Sequence, residues 1–290
     1  MITASQRVGG MSIVADSRRL TCEDGREKGF PVRGCRLPGL QKWLQSVVST
    51  SMASCGRGEQ MWWTGIRDRV EMVGTYPGSG GMFGATFGHG WLLDPPLSAD
   101  DVEELEGWLG MTLPDDYRSF LIEVAAGGAG PFYGIFPVHG DGGGGWEWDG
   151  DGGEMIRRDL LAESFPTDRL TADERLARTG PEPMRDTFAT DAEYDDALDV
   201  WHDRDDDILL GDERTAGAIC LADEGCAIRW WLVVSGPALG TIWRDPRTEG
   251  DDLYAIPGPD PDSGLTFQQW YMAWLDEAEQ LLTPDTLGRR

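Results

Sequence analysis

The residues from which catalysis or metal binding would have to be built are few: three histidines, five cysteines, one serine in a turn and a group of carboxylates around a glycine-rich stretch. His89, His139 and His202 lie far apart, with no His-Glu-x-x-His or Cys/His spacing, so no zinc site follows from local sequence. Ser235 stands in Val233-Val234-Ser235-Gly236-Pro237 rather than in the strand-to-helix elbow of a serine hydrolase, and reads as a turn residue. Asp141, Asp149, Asp151 and Glu154 flank a glycine run, and several oxygens on one flexible loop are what a hard cation takes. The alternating positions and distant bidentate glutamate of a calcium loop are missing, so an exposed acidic hairpin is the better reading. The glycines also lack the lysine of a phosphate-binding loop, since Lys28 and Lys42 are the chain's lysines. The sequence therefore predicts no enzyme, no cofactor and no metal.

Charge says more. Of the 290 residues, 1–60 hold 9 basic and 5 acidic side chains, leaving 16 basic and 46 acidic, a net −30, for 61–290. Such a surface repels nucleic-acid phosphates and anionic lipid headgroups and favours a basic partner, although an acidic surface also serves solubility. No apolar run is long enough to span a bilayer, and Val8 to Ala15 is too broken for a signal-peptide core, which predicts a cytoplasmic protein. Cys22, Cys35, Cys55, Cys220 and Cys226 are odd in number, without Cys-x-x-Cys spacing, and fit a reducing compartment. Cys220 and Cys226 flank a turn and read as a pair of reduced core thiols.

The elements that must carry these groups follow from periodicity. Ser98 can cap a helix with Val102, Leu105 and Leu109 on one face, closed by Gly110. Pro114 opens a second, with Tyr117, Phe120, Leu121 and Val124 at core spacing. Gly127, Gly128 and Gly130 break it, and Tyr133 to Val138 reads as a strand. Trp146 and Trp148 lie on a hairpin with its loop at Gly140 to Gly145, their rings either alternately buried or forming an exposed binding patch. A polar, helix-leaning insert runs from Glu154 to Glu213. Within it Tyr194, Leu198 and Trp201 form an apolar stripe, and Asp195, Asp196, Asp199, Asp203, Asp205, Asp206 and Asp207 load the rest of the surface. Gly217–Ala222, Ala227–Ser235 and Gly240–Arg244 predict an antiparallel meander, with Ile228, Trp230, Leu232 and Val234 on its one buried side. Phe267 to Leu282 closes the chain as a helix.

This order resembles the SUKH superfamily (the Smi/Knr type), which includes bacterial toxin-immunity proteins and fungal regulators of cell-wall synthesis. The resemblance is carried by Leu113-Pro114-Asp115-Asp116-Tyr117-Arg118-Ser119-Phe120-Leu121 before the glycine cluster, by Trp231 to Gly236 with Gly240 to Trp243, and by Thr266 to Tyr271 with Trp274-Leu275. It implies an α+β fold, a mainly antiparallel sheet flanked by helices, and agrees with the periodicity. The chain divides into residues 1–60, an extension that reads as disordered or as an upstream stretch from a wrong start codon, with Met52 or Met61 as candidate starts and only Leu37 to Val48 helical. Residues 61–87 then form a short helix and linker, 88–283 the SUKH-like domain and 284–290 a tail.

The resemblance implies an immunity-type protein that binds a cognate basic protein toxin, a nuclease or other nucleic-acid-modifying domain, and occludes it. Its recognition surface would come from Asp195, Asp196, Asp199, Asp203 and Asp205 with loop residues near Trp146. The alternative is a regulatory scaffold for several cellular proteins, as in the fungal members. Neither reading involves nucleic acid or membrane directly.

Overall fold

In this computed structural model, residues 62–82, 84–260 and 263–282 are described in full, together with the backbone of three strands near the N-terminus. Those strands, β1 (Ser5–Val8), β2 (Met11–Asp16) and β3 (Arg19–Cys22), form an antiparallel meander in register Ser5↔Val14 and Ile13↔Cys22. They belong to a separate compact unit, residues 1–35. The helix expected at Leu37 to Val48 lies outside the described residues.

The larger unit is held together by motifs legible in sequence. Helix α1 (Ile66–Thr75) buries Ile66, Val70 and Val73. In α2 (Ala99–Leu109), Ser98 accepts a hydrogen bond from Asp101 N–H and the Asp101 carboxylate accepts one from Ser98 N–H, both at 3.0 Å, a reciprocal capping box. Gly110, at φ +74°, ends it.

The Leu-Pro-Asp-Asp-Tyr motif has a division of labour. Leu113 and Tyr117 are core, Pro114 precedes α3 (Asp115–Glu123), and Asp116 reaches across to the first turn of α7 (Phe267–Leu282), accepting Gln268 N–H at 2.9 Å. A carboxylate on an otherwise unpaired N-terminal amide caps α7 from another helix. Tyr117, Phe120 and Phe267 then meet edge to face, and the Tyr271 hydroxyl donates to Ala129 O at 2.8 Å. Trp63 packs against Phe120, Phe267 and Tyr271 and donates its indole N–H to Ser119 Oγ.

Of Tyr133 to Val138, only Val138 belongs to a strand, the first of the hairpin that follows. Backbone hydrogen bonds from Tyr133 and Phe136 to Asp223 and Leu221 lay the rest beside the main sheet, but only single bridges at Ile135 form. The cause is the glycine cluster, where Gly128 and Gly134 adopt φ +99° and +107° and a Cβ on either would lie within 2.5 Å of a carbonyl oxygen. The chain crosses itself there too closely for a ladder. The hairpin β4 (Val138–Gly140) and β5 (Trp146–Trp148) follows as expected, and a short helix α4 (Asp151–Met155) comes after it.

After the insert come β6 (Ala218–Gly225), β7 (Ile228–Val233), β8 (Ile242–Asp245) and a fourth strand not expected from sequence, β9 (Tyr254–Ala255), in the antiparallel order β6-β7-β8-β9. The sheet is buried on both faces rather than one. Trp230 and Leu232 join the main core, while Trp231, Val233, Cys220 and Trp243 pack with Phe165 and Leu253 on the other side. Cys220 is thus a core thiol, its pKa pushed up by burial, but Cys226 is exposed at the β6–β7 turn, so the two are not a core pair.

Candidate interaction surface

The insert presents the acidic residues on a braced helix. Two helices form it, α5 (Ala172–Thr179) and α6 (Asp191–Leu209), each opened by a capping box, Thr171 with Glu174 and Thr190 with Glu193. Along α6 the residues Asp195, Asp199, Asp203 and Asp207 recur at four-residue intervals, and all are exposed, as is Asp196. Like charges at that spacing repel one another by a few tenths of a kcal/mol per pair. The opposite side of the helix must supply what holds it.

It does so through specific contacts. The Trp201 indole donates to Gly180 O at 2.9 Å and Arg204 to Thr179 O at 3.1 Å, so α6 receives the carbonyls at the end of α5. Asp205 is 6% exposed and takes a two-pronged bond from the Arg175 guanidinium, with Nε to Oδ1 at 2.6 Å, and a further bond from Thr179 Oγ1. The guanidinium holds the Asp205 carboxyl below the usual carboxylate range. At the far end, Arg247 donates to Leu209 O at 3.1 Å while pairing with Asp245, which also accepts from the Trp231 indole. A cation on the last carbonyls complements the helix dipole and fixes α6 to the sheet.

Of the residues expected to contact a partner, Asp195, Asp196, Asp199 and Asp203 thus share the exposed side of one helix. Asp205 does not: one turn position places it on the inward face, where its charge is spent on Arg175. Trp146 is 9% exposed and belongs to the core, with Glu147 out and Trp148 in along β5 as strand pleating requires. At that hairpin tip Asp141 accepts Gly143 and Gly145 N–H at 2.7 and 2.8 Å, which lowers its pKa and makes it the loop's organiser. Asp149 pairs with His139 and Asp151 with Arg229.

Sequence reading missed the arginines. Arg175, Arg244 and Arg247 each neutralise a buried carboxylate, Asp205, Glu224 and Asp245. Glu224 is further satisfied by the Trp230 indole at 2.8 Å. These pairs join segments distant in sequence, so no local spacing announces most of them; only Arg247, two residues after Asp245, was within reach of inspection.

An acidic helical insert braced against an antiparallel sheet, with Asp205 paired inward and Asp195, Asp199, Asp203 and Asp207 on the exposed side, belongs to an α+β domain. The model of the SMI1/KNR4 family (SUKH-1) matches residues 96–254, more than half of the chain, and the chain belongs to that family. The match begins just before α2, includes the insert and ends within β9. Nothing among the curated proteins or the solved structures matches the chain. Among the described residues, no helix is long and apolar enough to cross a membrane.

Proposed function

We propose that this protein is a cytoplasmic immunity-type protein that binds a cognate basic toxin, a nuclease or other nucleic-acid-modifying domain, and covers its active site. The observation that carries the reading is the aspartate row of α6. Four carboxylates repelling each other along one exposed helix face reduce stability, and a partner lined with the lysines and arginines of a phosphate-binding cleft relieves that repulsion on docking. The field of such a row also speeds encounter by roughly 10- to 1,000-fold at low salt. Family membership supports a role in protein contact, and its toxin-immunity members supply the class of partner.

The test is protection. Cells expressing a toxin domain encoded beside this gene are expected to survive when the protein is co-expressed. The triple change Asp195→Lys, Asp196→Lys and Asp199→Lys is expected to abolish survival while leaving the circular dichroism spectrum and urea midpoint close to those of the parent. Full protection by the triple variant would remove the acidic face from the reading.

A further inference from the structure

Beside the acidic face of α6 lies an open groove of about 290 Å³ between α5, α6 and the turn at Gly250 to Asp252. Leu170, Leu176, Trp201 and Leu209 give it apolar walls, and the Arg175–Asp205 pair closes its floor. That floor is internally neutralised: Arg175 Nη1 donates to Gly250 O at 2.9 Å and Asp205 accepts from Thr179 as well. What the groove offers is therefore apolar surface. Leu176 stands at its edge with 54% of its area exposed, a large aliphatic side chain left in water on a helix otherwise polar outside.

The rim is acidic. Asp206 is three residues from Leu209 in the groove wall and three from Asp203 on the outer face, so helical geometry makes it the bridge between groove and aspartate row. Partial burial and the neighbouring Asp205 push its carboxyl above the usual range, a penalty that an added cation alongside would reverse. Asp251, across the groove, is paired with Arg169 at 2.6 Å, so the unbalanced charge of the rim lies on the α6 side.

Resting on the reading of a basic partner, we infer that this groove seats one apolar side chain of a cationic segment, whose flanking lysines and arginines lie along Asp206, Asp203 and Asp199. The aspartate row then supplies rate and sign, and the groove supplies register and residence time. A buried apolar anchor ringed by charge is the arrangement that carries most of the energy at protein interfaces.

The probe is a short synthetic peptide with one leucine set among lysines, arginines and glycines, titrated into the full-length protein carrying ¹⁵N-labelled tryptophan. Saturable binding that shifts the Trp201 indole signal is expected. Leu176→Gln, which keeps the urea midpoint because the side chain is exposed, is expected to weaken binding about tenfold. Replacing the peptide's leucine by serine should cost a similar factor, and combining the two changes should cost little more. Asp203→Asn with Asp206→Asn should weaken binding and flatten its salt dependence. An unmoved Trp201 signal, equal binding by Leu176→Gln, or no binding at all overturns the groove. If the peptide seats there but the parent protein gives no protection against the toxin, the immunity reading fails and the groove stands.

Discussion

Arg175 and Asp205 face each other across the two helices of the insert, guanidinium Nε to carboxylate Oδ1 at 2.6 Å, and this pair converts one member of an aspartate-rich run from a surface charge into a structural clamp. Asp205 is buried while its neighbours Asp203 and Asp206 are exposed, so the clamp decides which way the acidic face points.

Asp205→Ala is therefore expected to destabilise the protein by about 2 kcal/mol, less than for a fully enclosed pair because Arg175 retains contact with water. Asp205 has a lowered pKa, so its contribution is present above the ordinary aspartate range and is lost as pH falls below about 4. Urea unfolding at pH 7 and pH 3 checks both statements: the gap between parent and variant should narrow at the lower pH. An equal gap at both would mean that the pair is not what Asp205 contributes.

The aspartate row predicts the opposite sign. Asp203→Asn removes the repulsion with Asp199 and Asp207 and takes a negative charge from the C-terminal half of α6, so it should stabilise by about 0.5 kcal/mol at low salt. The gain should shrink in 0.5 M NaCl as screening does the same work, which is on the order of a 4 Å Debye length. Unfolding midpoints at two salt concentrations measure it, and a variant less stable than the parent would show that Asp203 is held by a favourable contact.

What was legible in the sequence was whatever is local. The caps at Ser98 and Gly110, the apolar faces of α2, α3 and α7, the hairpin around Gly140 to Gly145 and three of the four strands of the main sheet follow from spacing alone. What was not legible depends on chain segments meeting from afar. Gly128 signals that the backbone must turn, but not that Leu92 O comes so close that a Cβ would lie 2.4 Å from it, which is why Tyr133 to Pro137 runs as a strap and not a strand. In the same way, alternation in β7 names one buried face. Only Phe165 and Leu253, from outside the sheet, reveal the second. The sequence groups Asp205 with the surface aspartates although it lies four residues after Trp201 of the apolar stripe, because a carboxylate on that side makes sense only once Arg175 is known.

The β6–β7 turn gives a third prediction. Gly225 pairs with Ile228, so Cys226 and Ala227 form a two-residue loop, and both have positive φ, +53° and +62°. That turn type wants asparagine, aspartate or glycine, and an L-alanine there costs about 1 kcal/mol. Ala227 is exposed, so nothing is lost from the core on removing its methyl group. Ala227→Gly is expected to raise the unfolding free energy by about 0.5 to 1 kcal/mol, against the usual sign for adding a glycine to a protein. A lower thermal midpoint would contradict the turn geometry.

His89 is a buried imidazole whose protonation opposes the folded state. Its Nδ1 accepts Trp91 N–H at 3.0 Å, its Nε2 is buried, and the ring sits edge-on to Trp91 and Trp274. Burial among these rings lowers its pKa to about 4, because the imidazolium would lose water without gaining an acceptor. The unfolded chain takes up the proton near pH 6.5 and the folded one does not, so stability from this group is full above 6.5 and declines as pH falls towards 4. At roughly 1.4 kcal/mol per unit, the loss amounts to about 3 kcal/mol. His89→Gln supplies a neutral side chain of similar reach that does not titrate. Its stability at pH 7 should be somewhat below that of the parent, and its decline between pH 6.5 and 4.5 shallower by the histidine's share. Parallel decline in the two proteins would show that His89 is not the group whose protonation the folded protein resists in that window.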